Sequence, residues 1–156
     1  MTSAGFSERD RHAMRLAIEA SRSALAAGNN PFGATLASAE GEVLMTAENN
    51  QRTTADCTGH AEMVLVRLAA EKLGPQALRG ATIFASGEPC AMCAGAMYWA
   101  GIGRVVFAAT NADIREVLGT PALPASCTYL LRNAHPAVRV DPELLREEAA
   151  AALRGD

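Results

Sequence analysis

Two short stretches, His60-Ala61-Glu62 and Pro89-Cys90-Ala91-Met92-Cys93, constrain this chain more than any other feature. Cys90 and Cys93 stand at i and i+3, about one helical turn apart, so both thiols can face one point. Glu88-Pro89 lies between an apolar run and a helical pattern. That places the cysteines at a helix N-terminus, where the helix dipole favours thiolates. His60 likewise opens a helical segment. His60 and Glu62 would diverge by roughly 200° in mid-helix, so they can converge only at a helix end, which is where the pattern puts them. One His and two Cys make three ligands for a tetrahedral Zn2+ and leave the fourth position open, as a catalytic site needs. Glu62 is spare, and a carboxylate beside a metal-activated water can carry its proton. Taken alone, C-x-x-C fits a redox dithiol or half of a structural zinc site equally well, and H-A-E says little. A redox role would leave His60 and Glu62 without a task.

The 156 residues, 49% apolar and 20% charged, predict a single globular domain spanning 1–156 with a real core. No apolar run is long enough to span a bilayer, and the N-terminal stretch MTSAGFSERDRH has no apolar signal region. Those two features point to the cytoplasm, with no membrane partner. Four cysteines in that setting read as reduced thiols or metal ligands, not as a disulfide framework. A net charge of −3 argues against a nucleic-acid partner, which usually needs a basic face, though it does not exclude a local one.

The patterning predicts an amphipathic helix over 7–27, with Met14, Ala17, Ile18, Ser21 and Leu25 inward and Ser7 as its cap. Strands follow at 32–39 and 42–48, joined by a tight turn, then a polar loop at 49–58. A second helix covers 60–73, with Ala61, Val64, Leu65 and Leu68 on one face, and Gly74-Pro75 ends it. Then come a strand at 82–86, a helix at 90–100, a strand at 105–109 and a short helix at 110–118. A loop at 119–128, a strand at 138–140 and a helix at 142–153 complete the chain. The order predicts an α/β fold with helices on both faces of a mixed sheet.

H-x-E followed about thirty residues later by P-C-x-x-C is the signature of zinc-dependent nucleobase deaminases. From about Asn29 to Asp113 the chain resembles the cytidine and deoxycytidylate deaminase superfamily. Within it the chain most resembles guanine deaminases, with similarity to cytosine and tRNA-adenosine deaminases. The resemblance rests on N-P-F-G-A at 30–34, Asn49 eleven residues before His60, D-x-T-x-H-A-E at 56–62 and E-P-C-x-M-C-x-G-A-x-Y-W-A at 88–100. It implies a three-layer α/β/α, cytidine deaminase-like fold with a five-stranded mixed sheet, usually as a homodimer or larger oligomer. It implies zinc on His60, Cys90 and Cys93, with water activated there attacking the amino-bearing ring carbon and Glu62 as the proton shuttle. It also implies that Asn49 holds the base through its amide, and that Phe32, Ala61 and Trp99 line the substrate pocket. Finally, it implies that Asp113 assists proton delivery to the leaving group. Bland readings stand beside several of these. Asn49 is also a good turn residue, Phe32 and Trp99 are good core residues, and Asp113 is a good helix cap.

The chain departs from the family pattern at Cys57, where Pro is usual, and at Gly59, where Ala is usual. Gly59 could open room beside the base or loosen the helix start. Cys57 and Cys127 read as a small loop residue and a packed thiol. The ending, His135–Leu153, more resembles cytosine and tRNA-adenosine deaminases than guanine deaminases, so no swapped C-terminal tail is carried over. The segment 119–134 is the candidate lid.

Four functions follow. The first is deamination of a small nucleobase or nucleoside, with guanine to xanthine and ammonia foremost. The second is adenosine-to-inosine deamination in tRNA, suggested by Met97 and Ile102–Phe107; Trp99 would crowd the groove that a polynucleotide needs. The third is deamination of cytosine or another amino-heterocycle. The fourth is a zinc-stabilised, non-enzymatic interaction domain.

Overall fold

The computed structural model describes residues 5–119 and 122–156. Its first element is helix α1 (Glu8–Ala26), capped by a reciprocal Ser7–Asp10 box. It buries Met14, Ala17, Ile18, Ser21 and Ala24. Leu25, expected on that face, is instead exposed, and Ala24 takes its place inside.

Strands β1 (Gly33–Ala37) and β2 (Val43–Glu48) form an antiparallel hairpin with a bulge at Leu36/Ala37. The segment expected as a loop at 49–58 contains one helical turn, α2 (Gln51–Thr54). Asn29 makes that turn possible. Its Oδ1 accepts from the backbone N–H groups of Arg52 and Thr53, which a helix start leaves without partners. Helix α3 (Ala61–Leu73) ends at Gly74 as expected. Strand β3 (Thr82–Gly87), helix α4 (Ala91–Ala100), strand β4 (Arg104–Ala109) and helix α5 (Asn111–Leu118) follow.

Helix α6 (Cys127–Leu131) occupies the end of the segment read as a loop at 119–128; Pro121 lies outside the described residues. Strand β5 is Arg139–Asp141 and helix α7 is Arg146–Leu153. Helix α7 starts four residues later than the patterning predicts. Glu143 and Leu145 take positive φ there, in a turn that buries Leu144 and bonds its N–H to the Phe107 carbonyl at 3.1 Å.

The sheet order is β2-β1-β3-β4-β5. β1 runs antiparallel to both its neighbours, and β3, β4 and β5 run parallel. This is the expected five-stranded mixed sheet between helical layers. Alternation along the central strands divides the core. Ile83 and Val105 join α3, α4 and α6 on one face, while Phe84 and Val106 join α1 and α7 on the other. Arg104 binds the edge of the second layer, donating to Asp10 at 2.9 Å and to Asp141 at 2.8 Å. Among the described residues, no helix is long and apolar enough to cross a membrane.

Asp113 belongs to this framework. It is the third residue of α5, where it accepts from the Thr110 N–H at 2.9 Å and completes a capping box. Both its oxygens also accept from Arg146 at the start of α7, at 2.8 and 2.9 Å. The Arg146 guanidinium holds the Asp113 carboxyl down at about 2. Because its folded value lies below the usual carboxylate range, the pair's stabilisation is complete above about pH 4 and is lost as pH falls towards 2. D113N should cost about 1–2 kcal/mol at neutral pH and lose this acid-dependent component. Thermal melts of both proteins between pH 2 and 7 test this, since zinc loss in acid is common to both.

Candidate active site

Helices α3 and α4 bring their N-termini together on one side of the sheet. His60 is the residue before α3, with extended φ −67° and ψ 148°. That backbone turns its ring off the helical path, so it can meet the cysteines while Glu62 follows in the first turn. Cys90 holds the same place before α4, and Cys93 lies one turn inside.

The three donor atoms form a compact triangle. Cys90 Sγ is 3.5 Å from His60 Nδ1 and 3.6 Å from Cys93 Sγ, and Cys93 Sγ is 3.6 Å from His60 Nδ1. Tetrahedral bonds of about 2.3 Å to sulfur and 2.0–2.1 Å to nitrogen would set these edges at roughly 3.5–3.8 Å. The residues therefore fit zinc without rearrangement. The hydrogen bond with Cys93, assisted by His60, pulls the Cys90 thiol down to about 4, while Cys90 in turn pushes the Cys93 thiol and His60 up. Glu62 is only 6% exposed, and burial pushes its carboxyl up to about 7, with the Cys90 charge adding to the effect.

A cavity of about 390 Å³ opens over His60, Cys90 and Glu62. This is within the size range of small-molecule sites, about 300–1,000 Å³. Phe32, Met92, Ile114 and Leu118 give it apolar walls, and Ala122, Leu123 and Ala125 of the expected lid segment line it too. Asn49 lines it while being 1% exposed. Gly87 makes room for the Phe32 ring. A Cβ there would lie 2.8 Å from Phe32 Cε1 and 3.1 Å from Ile114 Cδ1. G87A should push the ring into the cavity and raise KM about tenfold with less effect on kcat, an overpacking cost of the usual size. Steady-state kinetics alongside a melting curve test it.

Sequence reasoning placed His60, Cys90, Cys93, Glu62, Asn49 and Phe32 at the site, and the structure brings these together. Three others it does not. Ala61 is buried between His60 and Glu62 and is not part of the cavity wall. Trp99 is 83% exposed. It lies two residues past the buried Met97, about 200° round α4, so its ring faces outward and stacks edge-on against Tyr98. Asp113 is turned to Arg146 and does not line this cavity. It does complete the capping box of α5.

Gly59 makes room for a side chain, not for a base, because its absent Cβ would sit 2.4 Å from Asn50 Oδ1. Cys57 is exposed in its turn and Cys127 is fully buried. Sequence reasoning missed Asn30, Gln51, Glu88 and Asn111 on the wall. Asn30 and Glu88 belong to motifs already noted, N-P-F-G-A and E-P-C; Gln51 and Asn111 carry no local signal.

The cytidine and deoxycytidylate deaminase zinc-binding region matches residues 7–109, more than half the chain. The chain belongs to this zinc-binding deaminase family. A probable cytosine deaminase of Schizosaccharomyces pombe is 37% identical over 114 residues, covering 73% of this chain and 68% of the relative. A tRNA-specific adenosine deaminase of Agrobacterium fabrum is 40% identical over 100 residues, covering 64% of this chain and 65% of the relative. The solved structure of a guanine deaminase from Nitrosomonas europaea superimposes with a TM-score of 0.78 at 26% identity, covering 95% of this chain and 83% of that one. The deaminase is thus a hydrolase acting on C–N bonds, and zinc is its cofactor, matching the donor set found here.

Proposed function

We propose that this deaminase converts a free aminated nucleobase, guanine foremost, to the oxo base and ammonia; guanine would give xanthine. The observation that carries this reading is the chemistry of the cavity wall. Among the described residues lining it there is no Lys or Arg, while Glu62 and Glu88 are both present. A polynucleotide strand would need cations for its phosphates, whereas a neutral base needs a flat apolar slot with a few polar groups.

His60, Cys90 and Cys93 would hold the zinc. When bound, the metal supplies a Lewis acid that brings the pKa of water towards neutrality. Glu62 then takes the attacking water's proton on its carboxylate. It returns that proton to the ring nitrogen beside the carbon under attack, and next helps protonate the departing amine. Phe32 offers a ring face for the base, and the Asn49 carboxamide holds its edge. The exposed Trp99 supports a homodimer, since an aromatic of this size at a helix surface is a common interface anchor. The cytoplasm is the compartment in which the three ligands would stay reduced.

The second reading, tRNA adenosine deamination, is supported by the 40% identity to the Agrobacterium fabrum protein. Trp99 no longer opposes it, because Trp99 is not at the cavity. The uncharged-to-acidic wall still does.

The test is ammonia release by zinc-loaded protein from guanine, adenine, cytosine, their nucleosides and a tRNA anticodon stem-loop. Guanine is expected to react fastest, with no release by metal-stripped protein. Release from the RNA alone would overturn the free-base reading, and preference for adenine or cytosine would overturn the choice of guanine.

A further inference from the structure

Three carboxamides on the cavity wall are bonded in series. The backbone N–H of Gln51 donates to Asn49 Oδ1 at 3.0 Å. Asn49 Nδ2 donates to Gln51 Oε1 at 2.7 Å, and Asn30 Nδ2 donates to the same oxygen at 3.0 Å. The orientation of every amide in this series follows from its first link. A backbone N–H can only donate, so Asn49 must turn its oxygen to it and its Nδ2 away. The only acceptor on the Gln51 side chain is Oε1, so Gln51 must present oxygen to Asn49. Both lone pairs of that oxygen are then used when Asn30 also donates to it. Asn30 is left with Oδ1 free of hydrogen-bond partners among the described residues, on a side chain that lines the cavity.

We propose that Gln51 is a positioning residue for base recognition, locking the amide orientations of Asn49 and Asn30 so that Asn30 offers the base an acceptor. An acceptor there favours a base with a ring N–H next to the amino-bearing carbon, as in guanine, over adenine and cytosine, whose ring nitrogens next to that carbon are themselves acceptors. A site built for a hydrogen bond discriminates strongly against a base that leaves it unpaired. The inference deepens the guanine reading and rests on it for its choice of base, but not for the lock itself. No local motif marks this role: Asn49 is two residues from Gln51, but Asn30 lies twenty-one residues away, across the β1–β2 hairpin.

Q51L and Q51E separate positioning from mere packing. Leucine removes the shared acceptor; a glutamate carboxylate can still accept from both Nδ2 groups. In the zinc-loaded 156-residue protein, Q51L should raise KM for guanine about tenfold with kcat within about threefold, and shrink the preference for guanine over adenine and cytosine by a similar factor. Q51E should recover most of that loss. A substrate-free readout accompanies the kinetics, namely proton exchange of the Asn30 and Asn49 side-chain amides by NMR. Exchange should be slow in wild type and Q51E and faster in Q51L. Unchanged exchange in Q51L would overturn the lock. With the lock intact, an unchanged KM and preference in Q51L, or Q51E as impaired as Q51L, would overturn the positioning role. Wild-type protein inactive on guanine would instead sink the guanine reading, leaving the exchange data to judge the lock.

Discussion

E62Q is expected to lower kcat by about 10²–10⁴ while leaving zinc content and folding intact. Among the described residues, Glu62 is the one buried acid lining the cavity, beside the three metal-ligand candidates. Gln keeps its size and hydrogen-bonding oxygen and loses only the ability to take and return a proton. Stability should hold or rise, because the carboxyl is buried enough to be pushed up to about 7 and an amide carries no charge to desolvate. The measurement is ammonia release under saturating substrate, with zinc quantified in the same sample. Wild-type turnover in a zinc-replete E62Q protein would remove Glu62 from the mechanism. D113N provides the contrast. Its kcat should stay within about threefold of wild type, since its carboxylate is held by Arg146, whereas loss of a general acid costs at least about a hundredfold.

G33A is expected to be the most destabilising glycine-to-alanine change among the glycines described, since its Cβ would meet backbone most closely. Helix α1 lies directly on β1 at Gly33. A Cβ there would be 2.2 Å from the Ala17 carbonyl oxygen and 2.7 Å from both Ala20 Cβ and Ser21 N. Two of those three atoms are backbone, so no rotamer change relieves the clash, and the helix must lift from the sheet. The expected cost is about 3 kcal/mol, at the upper end for overpacking, or a Tm lower by about 6–12 °C for a chain of this size. G95A is the control. Gly95 lies inside α4 with open space around its Cβ position, so alanine there should be neutral or stabilise by up to about 1 kcal/mol. Equal melting temperatures for G33A and wild type would show that α1 packs on β1 less tightly than the structure has it.

Gly33 illustrates how a motif can carry two messages. N-P-F-G-A at 30–34 carries part of the resemblance to deaminases. Phe32 does line the cavity, but Gly33 serves the other face of the sheet, where α1 needs a residue without a side chain. The strict alternation of β-strands makes this division automatic, and a linear motif does not announce which face each letter serves. The same holds for the shifted start of α7. Local propensity extends the helix back to residue 142, but the bond from Leu144 to Phe107 diverts the chain first.

By itself, the sequence determined the order of the main elements, helices on both faces of a mixed sheet, the candidate metal-ligand set and the spare carboxylate. Those depend on short-range facts: hydrophobic period, caps, the i and i+3 spacing of Cys90 and Cys93, and the break that puts His60 outside its helix. Only the tertiary structure decided which candidate side chains face the cavity. Trp99 was lost to it by its angle round α4, Asp113 by an arginine from α7, and Ala61 by burial between its neighbours. Asn30 and Gln51 were gained because the hairpin folds residues twenty-one apart into one hydrogen-bonded wall. The physical reason is common to all these cases. A side chain's direction depends on partners distant in sequence, and those partners are settled only when the layers pack.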